Sequence, residues 1–361
     1  SRQTVAEEND AEQAKTAGNL EVHFIDVGQG DATLIKCDGH SMLIDAGNND
    51  KGTLVQNYLQ HQGVETLDYV IGTHPDADHI GGMDVVLYKF DCKTIIMPDV
   101  ANNTRTYDDV VQTMKNKGYK TTYPVVGETY TIGGAAFTII APNKEYGNDM
   151  NSWSVGVLLQ NGNHRFLFTG DAEEGAEQDI LQNGIDISAD VYKVAHHGSN
   201  TATSQAFLDA VHPTYAVISA GEGNSYGHPH AEVLNRLRAA GVSVFRTDEQ
   251  GTIVAASDGT TLTWNMSPSE SWQAGEAKKS QNTDKSEKST DSQNNAETDA
   301  AVSNPTDQTD GNSDVIVHIT KTGEKYHSAG CQYLRQSDIE VTLSEAKARG
   351  LTPCSKCNPP Q

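Results

Sequence analysis

Basic residues are scarce in this chain: 26 Lys and Arg stand against 49 Asp and Glu, a formal net charge of −23. That imbalance argues against a protein that coats nucleic acid through a generally basic surface. It does not exclude an enzyme that meets phosphates through metal ions. Hydrophobic residues are also few, at 36%, so part of the sequence is expected not to fold. No apolar run approaches the roughly 20 residues that span a bilayer, and no signal peptide is visible. A chain that begins at Ser1 rather than Met reads as one whose targeting segment has been removed. Cysteine is limited to Cys37, Cys92, Cys331, Cys354 and Cys357. Three of these cluster near the C-terminus around a Cys-x-x-Cys, which favours metal ligation over a disulfide framework. Cys37 and Cys92 read as core or free thiols. A length of 361 residues leaves room for one large domain and something smaller.

What the chain does hold is one dense stretch, Thr73-His74-Pro75-Asp76-Ala77-Asp78-His79-Ile80-Gly81-Gly82. His74, Asp76, Asp78 and His79 are candidate metal ligands within six positions. The apolar segment Leu67–Ile71 before them reads as a buried strand. Pro75 and the paired Gly81 and Gly82 predict a loop and then a turn. Two carboxylates this close repel one another unless a cation neutralises them, and a metal site answers that cost.

The remaining motifs fall in order along the chain. Residues 1–19 are polar and acidic, with no sustained apolar face, and predict a disordered leader. Glu21–Val27 has strand character, Gly28-Gln29-Gly30-Asp31 makes a hairpin turn, and further strands follow at 32–36 and 41–44. Asp26, Asp31 and Asp45 recur at strand ends, which hairpin grammar leaves unexplained. Helices are predicted over 52–63, 83–90, 107–117, 172–183 and 231–240. The alternation of short strands and helices suits a layered α/β or α+β domain. An apolar strand ends in Gly170-Asp171. Another, Asp190–Ala195, delivers His196 and His197 to a glycine turn. Because adjacent strand residues face opposite ways, one of that pair is expected to join a metal site, with His196 favoured. Tyr226-Gly227-His228-Pro229-His230 then precedes a helix.

These segments together resemble the metallo-β-lactamase superfamily, whose His-x-His-x-Asp-His motif is matched with Asp76 in place of the second His. Phe24-Ile25-Asp26-Val27-Gly28-Gln29-Gly30-Asp31-Ala32 and Gly227-His228-Pro229-His230 are similar to ComEC-type hydrolase domains of competence (DNA-uptake) proteins. The resemblance spans residues 20–265, and several motifs in the right order make it specific. It implies an αββα sandwich with two divalent ions held by His74, Asp76, Asp78, His79, Asp171, His196 and His197, Asp171 bridging. Asp45 would brace the metal loop, with Asp31 and Asn151 also behind the ligands. Asn151 stands near where most members carry a further His, which this chain lacks. Asp78 would orient the attacking water, and His228, with Lys193 as a further candidate, would contact the substrate. The oxygen-rich ligand set shifts preference from Zn²⁺ toward Mn²⁺ or Mg²⁺.

The expected activity is phosphodiester hydrolysis of DNA by a water activated between two metal ions. The alternatives are hydrolysis of a smaller phosphodiester, phosphorylcholine ester or lactone, and a non-catalytic module that binds DNA or a partner. A secreted or surface-attached bacterial protein, monomeric, is expected. Residues 266–313 are polar with almost nothing apolar after Trp272, and predict a disordered linker. Residues 314–361 predict a strand, a turn and a short helix, and beside them stand the candidate ligands His327, Cys331, Cys354 and Cys357. The alternative for these cysteines is a free thiol plus one disulfide. Fewer than fifty residues make a poor core, which one tetrahedral Zn²⁺ would supplement. This segment resembles the small zinc module related to the N-terminal domain of Ada, with His327 replacing one of four Cys.

Overall fold

The computed structural model describes residues 17–275 and, beyond them, segments between 316 and 359. The described residues fall into two compact units divided between Thr283 and Asp284. The first contains strands β1 (Leu20–Phe24), β2 (Thr33–Cys37), β3 (His40–Ile44), β4 (Thr66–Ile71), β5 (Asp91–Ile96), β6 (Thr121–Thr122), β7 (Thr129–Ile132), β8 (Ala135–Ala141), β9 (Gly156–Asn161), β10 (His164–Phe168), β11 (Val191–Lys193), β12 (Tyr215–Ile218), β13 (Ser243–Arg246), β14 (Ile253–Ser257) and β15 (Leu262–Trp264). They form two sheets, ordered β15-β14-β1-β2-β3-β4-β5-β6 and β13-β12-β11-β10-β9-β8-β7.

The strands alternate between two apolar faces, and that alternation builds the layers. Met42 and Ile44 of β3, Ile71 of β4 and Ile96 of β5 point into a central core. They meet Phe137, Phe166, Phe168, Val191, Val217 and Phe245 of the other sheet. The intervening Leu43, Val70 and Ile95 point outward. There they pack under α1 (Gly52–His61), α2 (Ala77–Ile80), α3 (Met83–Lys89) and α4 (Arg105–Lys117) through Val55, Leu59, Ile80, Met83, Val86, Val110 and Met114. In the second sheet Leu167, Tyr192, Ala216 and Val244 likewise face outward. They pack under α5 (Glu174–Gln182), α6 (Gln205–Val211) and α7 (Ala231–Ala239) through Ile180, Phe207, Val211, Val233 and Leu237, and α8 (Thr247–Gln250) follows β13. The result is the expected αββα sandwich. Strands with both faces apolar can sit only between two covered layers.

Helix ends follow local chemistry. The Thr104 side chain accepts from Tyr107 N at the start of α4, and Gly118 at φ 71 closes it. Phe166 is fully buried between the sheets. Phe166→Ala is expected to cost about 3–5 kcal/mol, read as a lower urea midpoint at unchanged slope.

Parallel pairing sets where the site lies. β3, β4 and β5 run parallel, as do β10, β11, β12 and β13. Segments leaving their carboxyl ends therefore emerge together, where open α/β sheets bind ligands.

Several expected boundaries shift. The strand expected to run to Val27 ends at Phe24, and residues 25–32 form a longer connection than a tight hairpin. Residues 17–19, read as part of a leader, are pinned: Gly18 N donates to Asn161 Oδ1 at 2.9 Å and Asn161 Nδ2 to Gly18 O at 2.8 Å. Residues 266–275, read as the start of a linker, are packed. Met266 lies against the central core and Trp272 against the outer one. Gly275 N donates to Pro229 O at 2.8 Å. Backbone pairing and two apolar side chains thus outweigh a polar composition. The rest of the expected leader (1–16) and linker (276–313) lies outside the described residues.

The second unit has β16 (Ile316–Ile319), β17 (Lys325–His327), β18 (Ile339–Thr342), α9 (Leu343–Ala348) and β19 (Thr352–Pro353). Its sheet is ordered β18-β16-β17-β19 around Val317, Tyr326, Val341, Leu343 and Ala346. Among the described residues no helix is long and apolar enough to cross a membrane.

Candidate metal centre

The stretch after β4 is not wholly a loop. Ala77–Ile80 forms one helical turn, so Asp78 and His79 sit on α2 while His74 and Asp76 precede it. The turn is locked to its neighbours by backbone bonds, Ala46 N to His79 O at 2.7 Å and Asp31 N to Asp78 O at 3.1 Å. Gly30 makes this possible. It lies at φ 145, and a Cβ there would come within 2.5 Å of the Asp78 carbonyl oxygen.

His196 and His197 are not on extended strand either. β11 ends at Lys193, and the pair occupies a 3-10 turn with both residues left-handed, at φ 50 and φ 53. The strand rule of opposite faces therefore does not apply, and both rings turn toward Asp171. Two adjacent residues at positive φ are strained, which marks a position held by its surroundings.

Asp171 is the hub of the geometry. Its Oδ2 lies 4.0 Å from His74 Nε2, 3.1 Å from His79 Nε2, 3.7 Å from His196 Nε2 and 3.5 Å from His197 Nε2. Asp76 Oδ2 stands 3.7 Å from His74 Nε2, and Asp78 Oδ2 stands 3.2 Å from His197 Nε2. Ligands at about 2.0–2.2 Å from one ion are separated by about 3–4 Å, the spacing found here.

Each ring is oriented from behind through Nδ1. Asp45 Oδ2 meets His79 Nδ1 at 2.8 Å, and the same carboxylate accepts from Thr73 N and Thr73 Oγ1. Thr73 Oγ1 and Ser154 Oγ flank His74 Nδ1 at 3.1 and 3.3 Å. Thr201 Oγ1 and Glu173 Oε1 flank His196 Nδ1 at 3.2 and 3.3 Å. Ser219 O and Asp31 Oδ1 flank His197 Nδ1 at 3.0 and 3.2 Å. Bracing Nδ1 fixes the ring and frees Nε2 for a ligand. Among the described residues, His74 Nε2 and Asp171 Oδ1 are buried with no hydrogen-bond partner. Orphaned polar atoms of this kind are costly unless something else occupies them, so the residues present fit a divalent ion.

The electrostatics agree. Burial and the neighbouring His79 push His74 down to about 3. Burial also disfavours charge on His197, yet Asp171 and Asp31 hold it up at about 10. His79 is likewise raised against burial by Asp171 and Asp45. Burial favours a neutral Asp78, but a hydrogen bond from His197 and the charge on His79 bring it down to about 2. Burial, then Asp78, raises Asp76. Carboxylates thus draw positive charge onto two imidazoles, and a divalent cation meets the same demand.

Of the remaining expected residues, Asn151 lies behind the centre, its Nδ2 donating to Glu173 Oε1 at 3.3 Å. Lys193 is buried, its Nζ 2.5 Å from Asp31 Oδ2 and 3.1 Å from Val194 O. His228 ring centroids lie 5.6 Å from His196 and 6.1 Å from His197. Gln29 orients it. Gly221 N donates to Gln29 Oε1 at 3.1 Å, so Gln29 Nε2 faces His228 Nδ1, at 3.3 Å, as donor. Burial and the nearby His197 lower His228 to about 4, so its ring is neutral with the proton on Nε2. Glu173, Ser154, Thr73, Ser219 and Gln29 were missed in the sequence. Thr73 and Gln29 lie inside the motifs at 73–82 and 24–32; the others carry no signal, being common polar residues at loop positions.

Breaking the Lys193–Asp31 pair leaves a buried charge without its partner. Lys193→Met is expected to cost about 3–5 kcal/mol, and Lys193→Met with Asp31→Asn should recover most of it in urea denaturation.

In the second unit, ligand atoms of His327, Cys331, Cys354 and Cys357 all lie within 4.8 Å of one another. His327 Nδ1 is 3.2 Å from Cys331 Sγ and 3.9 Å from Cys357 Sγ. All five cysteines are free thiols, Cys37 and Cys92 buried. One imidazole and three thiols at this spacing suit a tetrahedral ion.

Residues 25–222 match the model of the metallo-beta-lactamase superfamily, more than half of the chain. The chain belongs to that superfamily of metal-dependent hydrolases. It is similar to ComE operon protein 3 of Bacillus subtilis, 31% identical over an aligned length of 255 residues, with 64% of this chain and 32% of that protein covered. It is also similar to Recombination protein 2 of Haemophilus influenzae, 33% identical over 238 residues, 64% of this chain and 28% of that protein. The chain thus spans about a third of the length of these curated relatives. The solved structure of the metallo-beta-lactamase fold protein YhfI from Bacillus subtilis is similar over 66% of this chain and 100% of that one, at 14% identity and a TM-score of 0.47.

Proposed function

We propose that the centre holds two divalent ions and hydrolyses phosphodiester bonds of DNA. The observation that carries this is the single oxygen Asp171 Oδ2 facing four imidazole Nε2 atoms, with Asp76 and Asp78 on either side. His74, Asp76 and His196 would hold one ion, Asp78, His79 and His197 the other, and Asp171 both. Such ions, with Mn²⁺ or Mg²⁺ favoured by the oxygen ligands and Zn²⁺ as the alternative, activate water near neutral pH and neutralise charge on phosphate.

The chain's own residues do the rest. Asp78 orients the attacking water through its second oxygen. His228 donates a hydrogen bond from Nε2 toward the phosphoryl or departing oxygen, and Gln29 keeps that proton in place. Lys193 acts at a distance: committed to Asp31, it stabilises the brace on His197 and does not touch substrate. The name of one relative, Recombination protein 2, supports DNA as substrate. The whole protein would be a monomer, secreted or surface-attached in a bacterium. The second unit, the Ada-like module of residues 314–361, would hold one Zn²⁺ at His327, Cys331, Cys354 and Cys357.

The net charge of −23 favours a second reading, hydrolysis of a smaller ester that needs no basic surface. Plasmid, linear duplex and single-stranded DNA incubated with the protein and Mn²⁺, Mg²⁺ or Zn²⁺ decide between them. Loss of DNA that Asp78→Ala abolishes is the expected result. Turnover of small phosphodiesters with DNA left intact would replace the first reading by the second.

A further inference from the structure

We propose that the exposed ring of Tyr226 is a stacking platform for one unpaired base of a single-stranded nucleic acid whose phosphate lies at the metal centre. The proposal rests on the phosphodiesterase reading and narrows its substrate.

Tyr226 is 65% exposed, yet its ring is not loose. It lies parallel to His228, centroids 5.5 Å apart and planes at 17°. His228 in turn stacks at 6.1 Å on His197, His197 lies 5.2 Å from His79, and His79 lies 4.2 Å from His74. Tyr226 is therefore the outer end of a row of rings that begins in the buried centre. The loop that presents it is tied through Asn224 and His230. Asn224 Nδ2 donates to Gly221 O at 2.9 Å and to His228 O at 2.6 Å. Asn224 Oδ1 accepts from Tyr226 N at 3.1 Å and His228 N at 3.0 Å. His230 Nε2 approaches Tyr226 O at 3.2 Å. An exposed aromatic ring held in one position is preorganised, so little ordering entropy opposes a partner that stacks on it.

Charge points the same way. Lys193 is held by Asp31, and Arg246, which pairs in register with Ile218 at the end of the strand leading into the loop that carries Tyr226, is held by Asp248 and Glu249. With these cations neutralised and the chain strongly acidic, affinity for a polynucleotide comes from the centre and from base stacking, which suits every base. A base stacked inside a duplex cannot reach the ring, so the substrate is a single strand or a frayed end.

The test is binding of a labelled dT8 strand, an abasic strand of the same length and a matching duplex, by fluorescence anisotropy with Ca²⁺ present. Wild type is compared with Tyr226→Ala and Tyr226→Trp, both checked for unchanged melting temperature. Tyr226→Ala should weaken dT8 binding between about fivefold and a hundredfold, Tyr226→Trp should restore it, and the abasic strand should be insensitive. The salt dependence of dT8 binding should be shallow, because few surface cations meet phosphates. Equal dT8 affinity of wild type and Tyr226→Ala, or preference of the wild type for duplex, overturns the proposal. If wild type cleaves DNA while Tyr226→Ala binds dT8 unchanged, the platform alone falls. If wild type neither binds nor cleaves any DNA, the phosphodiesterase reading falls and takes the platform with it.

Discussion

Replacing Asp171 by Asn is expected to lower hydrolysis by at least about 10³-fold, since divalent ions contribute several kcal/mol to such transition states. The change keeps the volume of the side chain and removes its charge. It acts where four imidazole Nε2 atoms converge on one oxygen, 3.1–4.0 Å away. Binding should fail with turnover. In the wild type, Mn²⁺ at a hundred times its dissociation constant should add about 2.7 kcal/mol of stability, seen as a higher melting temperature. Asp171→Asn should lose that increment while keeping its far-ultraviolet circular dichroism. A variant that still gains stability from Mn²⁺ and still turns over substrate would remove Asp171 from the centre.

Stripping metal from the second unit should unfold it and leave the first unit folded. Its apolar core is small, built on Val317, Tyr326, Val341, Leu343 and Ala346. Structural Zn²⁺ sites contribute about 10–16 kcal/mol of apparent binding free energy near neutral pH, well above what such a core supplies. Amide exchange on the full chain, with and without a strong chelator, reads the two units separately. Protection in β16, β17 and β18 should vanish with chelator, while β4 and β10 in the first core remain protected. Cys354→Ser should reproduce the chelator's effect in the second unit. Retained protection in the metal-free chain would mean that the cluster of His327 and three thiols is not what holds this unit together.

Much of this was legible in one dimension because the physics is local. Met42-Leu43-Ile44 and Phe166-Leu167-Phe168 were legible as apolar strands, and the structure shows their alternate residues entering two different cores. His74, Asp76, Asp78 and His79 sit so close together that no tertiary information is needed to suspect a cation. Where a local rule was applied outside its domain it failed. The opposite-face rule for strands was carried onto His196 and His197, but those residues leave the strand and adopt left-handed backbone, so both rings reach Asp171. Composition alone likewise assigned residues 266–275 to a linker, although Met266 and Trp272 anchor them to two cores.

The sequence by itself determined the family and the residue types of the centre, because motif order and ligand spacing are properties of the chain itself, and the sandwich followed as what the resemblance implies. Only the tertiary structure decided which atoms face one another: that Asp45, Ser154, Glu173 and Ser219 brace the rings from behind, that Lys193 is committed to Asp31, and that Gln29 sets the His228 proton. Those relations join residues as many as 199 positions apart. Their energies depend on the few ångströms that chain order does not specify.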